Sequence, residues 1–73
     1  MNKGLTVSLT ALDDDHVRAT LRWREQDVGG GELTVEVIVR NLKINPKPES
    51  ELHSDARALA QRFARTFADM LDT

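Results

Sequence analysis

HVRATLRWRE, residues 16–25, decides the fold. Val17, Ala19, Leu21 and Trp23 alternate with His16, Arg18, Thr20, Arg22 and Arg24. Period-two alternation places apolar and polar side chains on opposite faces of a half-buried strand. The stretch before it, LTVSLTAL at 5–12, alternates in the same way. Leu5, Val7, Leu9 and Ala11 share one face, and Thr6, Ser8 and Thr10 share the other. Between the two lies DDD at 13–15. Aspartate is poor in strands and good in turns, because its carboxylate bonds nearby backbone amides. After residue 25 comes QDVGGG, whose glycines tolerate positive φ at little cost, so a hairpin loop is expected there. ELTVEVIVR, 32–40, reads as a third strand. Its inward residues are Leu33, Val35, Val37 and Val39, and Thr34, Glu36, Ile38 and Arg40 point outward.

Inward residues must pair with inward residues, and this sets the register. A three-aspartate turn puts Leu12 opposite His16, hence Leu9 opposite Ala19, Val7 opposite Leu21 and Leu5 opposite Trp23. Across the glycine loop, Trp23 is expected opposite Val35 and Leu21 opposite Val37. Arg22 then falls between Thr6 and Glu36. The result is an antiparallel meander of order 1-2-3.

NLKINPKPE, 41–49, breaks the pattern, with a bulge or a strand end near Arg40–Asn41. Pro46 and Pro48 forbid a continued ladder and suit the approach to a helix. From Glu49 to Leu71 the period becomes helical. Leu52, Ala56, Leu59, Ala60, Phe63, Phe67, Met70 and Leu71 form one stripe. Glu49, Glu51 and Asp55 suit the positive end of the helix dipole, and Ser50 or Ser54 is the expected N-cap. The fold class is therefore α+β: a three-stranded antiparallel meander with one C-terminal helix packed on one face, a single βββα domain over 1–73. Trp23, Phe63 and Phe67 are its expected large core residues.

Composition limits what such a domain does. A chain of 73 residues has no room for a second core. It holds no cysteine, so disulfides and thiolate metal sites are excluded. His16 and His53 alone are too few for a zinc site. A small domain then relies on a well-made core or on self-association. The net charge is −2, whereas a dedicated non-specific nucleic-acid binder is usually strongly basic. No stretch approaches the ~18 apolar residues that span a bilayer, and MNKGLTVSLT lacks the apolar run of a signal peptide. A cytoplasmic protein with no membrane partner is the expectation.

The candidate binding residues lie on the outer sheet face: Arg18, Arg22, Arg24, Glu36, Ile38 and Arg40. Arginine grips carboxylate or phosphate with a two-pronged fork, and arginine beside an apolar anchor is common at interface centres. The bland alternative is a solvated sheet face. That face offers no aromatic platform for stacking bases, although a sheet can read guanines through arginine in a major groove. The first strand carries no charge or proline from Leu5 to Leu12, so its edge is a second candidate, for a homodimer or for strand addition. DDDH at 13–16 reads as a turn, since adjacent acids do not converge on one ion and the EF-hand pattern is missing. GGG at 29–31 leads into a strand, whereas phosphate loops lead into a helix. No catalytic residue, metal or cofactor is expected.

In element order the chain resembles the sheet-type DNA-binding domains of some phage integrases and plant transcription factors, whose sheet face enters the major groove. It is also similar to the last part of double-stranded RNA-binding domains, whose second helix opens on a lysine cluster. Here the helix opens on Glu49, Glu51 and Asp55, which repel a phosphate backbone. Neither resemblance transfers a site residue. The functional expectation is a small non-enzymatic protein-interaction module of the accessory or inhibitor kind, with phage-encoded inhibitors of host machinery as one such class. Nucleic-acid binding by the arginine face is the alternative.

Overall fold

A computed structural model of the chain describes residues 4–26 and 29–72. The elements run β1 (Leu5–Ala11), β2 (His16–Glu25), β3 (Gly31–Arg40) and α1 (Glu49–Leu71). The three strands form one antiparallel sheet in the order β1-β2-β3, and the helix packs on one face. This is the βββα arrangement that the alternation and the helical stripe imply.

The β1–β2 register is as expected, with Leu5 opposite Trp23, Val7 opposite Leu21 and Leu9 opposite Ala19. Asp13 closes the turn: its Oδ1 accepts the Asp15 backbone N–H at 2.8 Å and lies 2.9 Å from His16 Nδ1. The β2–β3 register differs from expectation by two residues. Trp23 faces Leu33, Leu21 faces Val35 and Arg22 faces Thr34. Pairing begins at Glu25–Gly31, so the connection is shorter than a strand start at Glu32 allows. Gly29 and Gly30 make it with φ of +84° and +68°, values that glycine adopts without steric cost. Residues 27 and 28 of this loop lie outside the described residues. A shift of two preserves the side-chain parity, so every inward residue stays inward.

The helix begins two residues earlier than a cap at Ser50 requires and six earlier than a cap at Ser54. Pro48 is the N-cap, in extended geometry, and its carbonyl accepts the N–H groups of Glu51 and Leu52 at 3.0 and 3.1 Å. Ser50 and Ser54 lie inside the helix. The connection before it is tied down by side chains. Asn41 Oδ1 accepts the Lys47 backbone N–H at 2.8 Å, and Lys47 Nζ lies 2.7 Å from Asp55 Oδ2. Of the two apolar residues in that connection, Leu42 is half-buried and Ile44 is exposed.

The core is smaller than the helical stripe implies. Ala19, Leu21, Val37, Val39, Leu52, Ala56 and Ala60 form it. Ala19 and Ala56 are fully buried, and such small side chains let helix and sheet approach closely. The expected large core residues are not in it: Trp23 is 41% exposed, Phe63 52% and Phe67 50%. The reason is geometric. Leu5, Trp23 and Leu33 form the last apolar row of the inner sheet face, because the next row holds Glu25 and Gly31. From Val39 back to Leu33 the strand covers about 20 Å. The helix covers that distance in roughly 13 residues at about 1.5 Å each, which brings Leu52 to about Arg65. Phe63 and Phe67 stand at this limit, flanking a groove with Leu33 and Val35, and beyond Phe67 the helix runs past the last apolar row of the described strands.

Candidate interaction surfaces

The outer sheet face is set by the register. Arg18 lies opposite Ile38, Thr20 opposite Glu36, Arg22 opposite Thr34, Arg24 opposite Glu32 and His16 opposite Arg40. All six expected binding residues, Arg18, Arg22, Arg24, Glu36, Ile38 and Arg40, are exposed, but the arginines do not form one row of free cations. Glu32 sorts them. Its Oε1 accepts Arg24 Nη2 at 2.9 Å and Arg24 Nε at 3.2 Å, and its Oε2 lies 3.6 Å from Arg22 Nε. The hydrogen bond from Arg24 is the main cause that holds the Glu32 carboxyl below its usual pKa, with the Arg22 charge adding to it. Arg18 and Arg40 have no carboxylate partner among the described residues. They flank Ile38, which is 58% exposed.

Glu32 is the residue that sequence reasoning missed. Continuing the alternation back from Thr34 puts it on the outer face, but the two-residue offset in the expected register left it without a partner. Its effect is to divide the face. One half is an Arg22–Arg24–Glu32 cluster near the glycine loop, its positive charge partly neutralised, and the other is a basic and apolar patch of Arg18, Ile38 and Arg40.

A second surface lies at the glycine-loop end. Between α1 and the inner sheet face a groove of about 460 Å³ runs over Trp23, Leu33, Ala60 and Ala64. On the far side of the helix a second groove, about 380 Å³, is lined by Leu33, Val35, Phe63 and Phe67. Leu33 joins the two. Met70 and Leu71 continue the apolar stripe along the helix, both exposed.

The third surface is the edge of β1, which among the described residues has a neighbouring strand on one side only. The helix contacts β3 and β2 in preference to β1, so Leu5, Val7 and Leu9 stay half-buried on the inner face.

The DDDH segment is a structural turn. Asp13 is held below its usual pKa, first by the Asp15 amide and then by His16. Asp15 fastens the turn to the connection before α1, its carbonyl accepting the Asn41 N–H at 2.8 Å and its Oδ1 the Lys43 N–H at 3.3 Å. Among the described residues no three His, Cys, Asp or Glu side chains are placed to share a metal ion, and no helix is long and apolar enough to cross a membrane. Comparison with protein-family models, with curated proteins and with solved structures finds no match to this chain.

Proposed function

We propose that the protein is a non-enzymatic protein-interaction module that binds its partner through the Arg18–Ile38–Arg40 half of the outer sheet face. The observation that carries this reading is the pairing pattern. Ile38 stands exposed directly opposite Arg18, and both flanking arginines lack a carboxylate partner among the described residues. An apolar anchor between two forked cations fits a protein segment in which a hydrophobic residue sits between acids. An accessory or inhibitor role in the cytoplasm, of the kind phages deploy against a host machine, suits a module of this size.

The same pairing pattern weakens the nucleic-acid alternative. A phosphate backbone is gripped by several free cations at once. Here Glu32 holds two of the four arginines, and Asp13, Asp14 and Asp15 stand at the end where Arg18 and Arg40 lie.

The test is fluorescence anisotropy with two labelled probes. One is a panel of short peptides carrying an acid–hydrophobe–acid pattern, and the other is a mixed-sequence DNA duplex. Peptide binding is expected, lost on changing Arg18→Glu and Ile38→Asp together, with the circular dichroism of the protein unchanged. Ile38 and Arg18 are both exposed, so the double variant should fold. Duplex binding that falls steeply with salt and is lost in that variant would overturn the reading in favour of a phosphate grip. Binding of neither probe would overturn it as well.

A further inference from the structure

The apolar end of the molecule uses none of the outer-face residues and calls for its own explanation. Trp23, Leu33, Phe63, Phe67, Met70 and Leu71 are between 41% and 70% exposed. At roughly 200 Å² for each large side chain, they leave on the order of 600 Å² of apolar surface open. That is at the top of the range for the largest patch on a typical monomer, about 300–600 Å². It is also most of the roughly 800 Å² that each partner contributes to a standard interface.

The end of α1 is weakly supported on other grounds. Beyond Phe67, which lines a groove with Leu33 and Val35, the helix runs past the last apolar row of the described strands. The dipole there is opposed rather than supported, because the last turn holds Asp69 and no basic residue, and Asp72 follows at the C-cap. A solvated end of this kind gains little from propensity alone, since helices in proteins are held mainly by packing of the apolar face.

We propose that this end binds a second copy of the chain, the two helices antiparallel about a two-fold axis at Phe67. A two-fold axis makes the interface self-complementary, so residue i meets residue j and j meets i. The helix sequence satisfies that condition about Phe67. Residues equally far on either side pair across the axis, which sets Phe63 against Leu71 and the small Ala64 against the large Met70. At the margins Thr66 meets Ala68, and Arg65 and Asp69 lie on the far side of the helix. Thus no charge enters the seam. The heights agree with the sheet as well. Ala64 lines both grooves beside Leu33. A residue level with Ala64 of the other copy, Met70, therefore arrives over Leu33, with Leu71 beside it. The helix end that overhangs one sheet covers the open groove of the other. This surface differs from the β1 edge, the location that the strand sequence suggests for self-association.

The chain contains no cysteine, which makes a direct test simple. Sedimentation equilibrium of the wild-type chain should show a dimer. Phe67→Asp should weaken association by about 30-fold or more, the loss expected for a central interface hot spot. Under mild oxidation Phe67→Cys should form a disulfide dimer rapidly, because the axis brings the two thiols together. Arg65→Cys, on the opposite side of the helix, should not. A wild-type chain that stays monomeric into the high micromolar range overturns the proposal. So does a dimer indifferent to Phe67→Asp, or equal cross-linking at both positions. The cysteine pair keeps the proposal falsifiable even if the aspartate variant fails to fold, and none of these readouts depends on the outer face.

Discussion

Leu52→Ala is expected to destabilise the fold more than Phe63→Ala, although phenylalanine is the larger side chain. Leu52 is 6% exposed and belongs to the cluster with Val37, Val39 and Ala56. Its truncation removes three buried carbons, a loss of about 2.4 kcal/mol at ~0.8 kcal/mol each. The space left under the helix adds roughly 1 kcal/mol, at about 24 cal/mol per Å³. The total is about 3 kcal/mol. Phe63 is 52% exposed. Half of the roughly 1.5–3 kcal/mol for full burial is then already absent, and truncation seals no cavity, so its cost is about 1 kcal/mol. The assay is urea unfolding followed by circular dichroism. It is run in a Phe67→Asp background, because the apparent stability of a dimer depends on concentration. Equal slopes across the variants are needed before midpoints are compared. A Phe63→Ala cost of about 3–5 kcal/mol, the range for a core phenylalanine, would refute the placement of the helix end beyond the core.

Two further outcomes follow from the polar contacts. Glu32→Gln releases Arg22 and Arg24, so the variant should leave a heparin column at higher salt than the wild type; equal elution would mean that both arginines are already available to anions. Asp13 has its carboxyl pKa held below the ordinary 3.8, so its contribution to stability is present above that value and is lost as pH falls through the lower folded value. The melting temperatures of wild type and Asp13→Asn should therefore differ at neutral pH and converge below 3.8; a gap that persists in acid would show that the carboxylate charge plays no part in the turn.

How much of this was legible in the sequence depends on what kind of information each feature needs. The faces of the strands were legible, because parity alone fixes them and a register shift of two leaves parity intact. The β1–β2 register was legible too, since a turn of three aspartates leaves little freedom in length. The β2–β3 register was not, because a glycine run permits pairing to start at more than one residue. That uncertainty hid Glu32, the acid that decides which arginines are free. The helical stripe is legible as a stripe, but how much of it is core is not. Periodicity reports which side of a helix is apolar, but it does not report where the sheet beneath it ends. Here the sheet's apolar rows stop at Leu5, Trp23 and Leu33, and the helix continues to Leu71.

The two proposed surfaces differ in the chemistry that suits each to its role. Phe63, Phe67, Met70 and Leu71 give an almost purely apolar surface, and interfaces of that composition belong to permanent assemblies, which resemble a domain core cut in two. The Arg18–Ile38–Arg40 patch is mixed. Its charges keep it hydrated when alone, and its single isoleucine costs little to leave in water, which is the balance a partner face must keep if it forms and breaks contacts. The helix lies on the inner side of the sheet, so pairing through the helix end covers neither outer face. A dimer built in this way presents two basic and apolar patches. A partner with two matching segments would engage the second patch at a high effective concentration, with no new contact needed. Self-association of the kind proposed would cover the surface that a small cysteine-free domain leaves open, and would double the surface offered to the proposed partner.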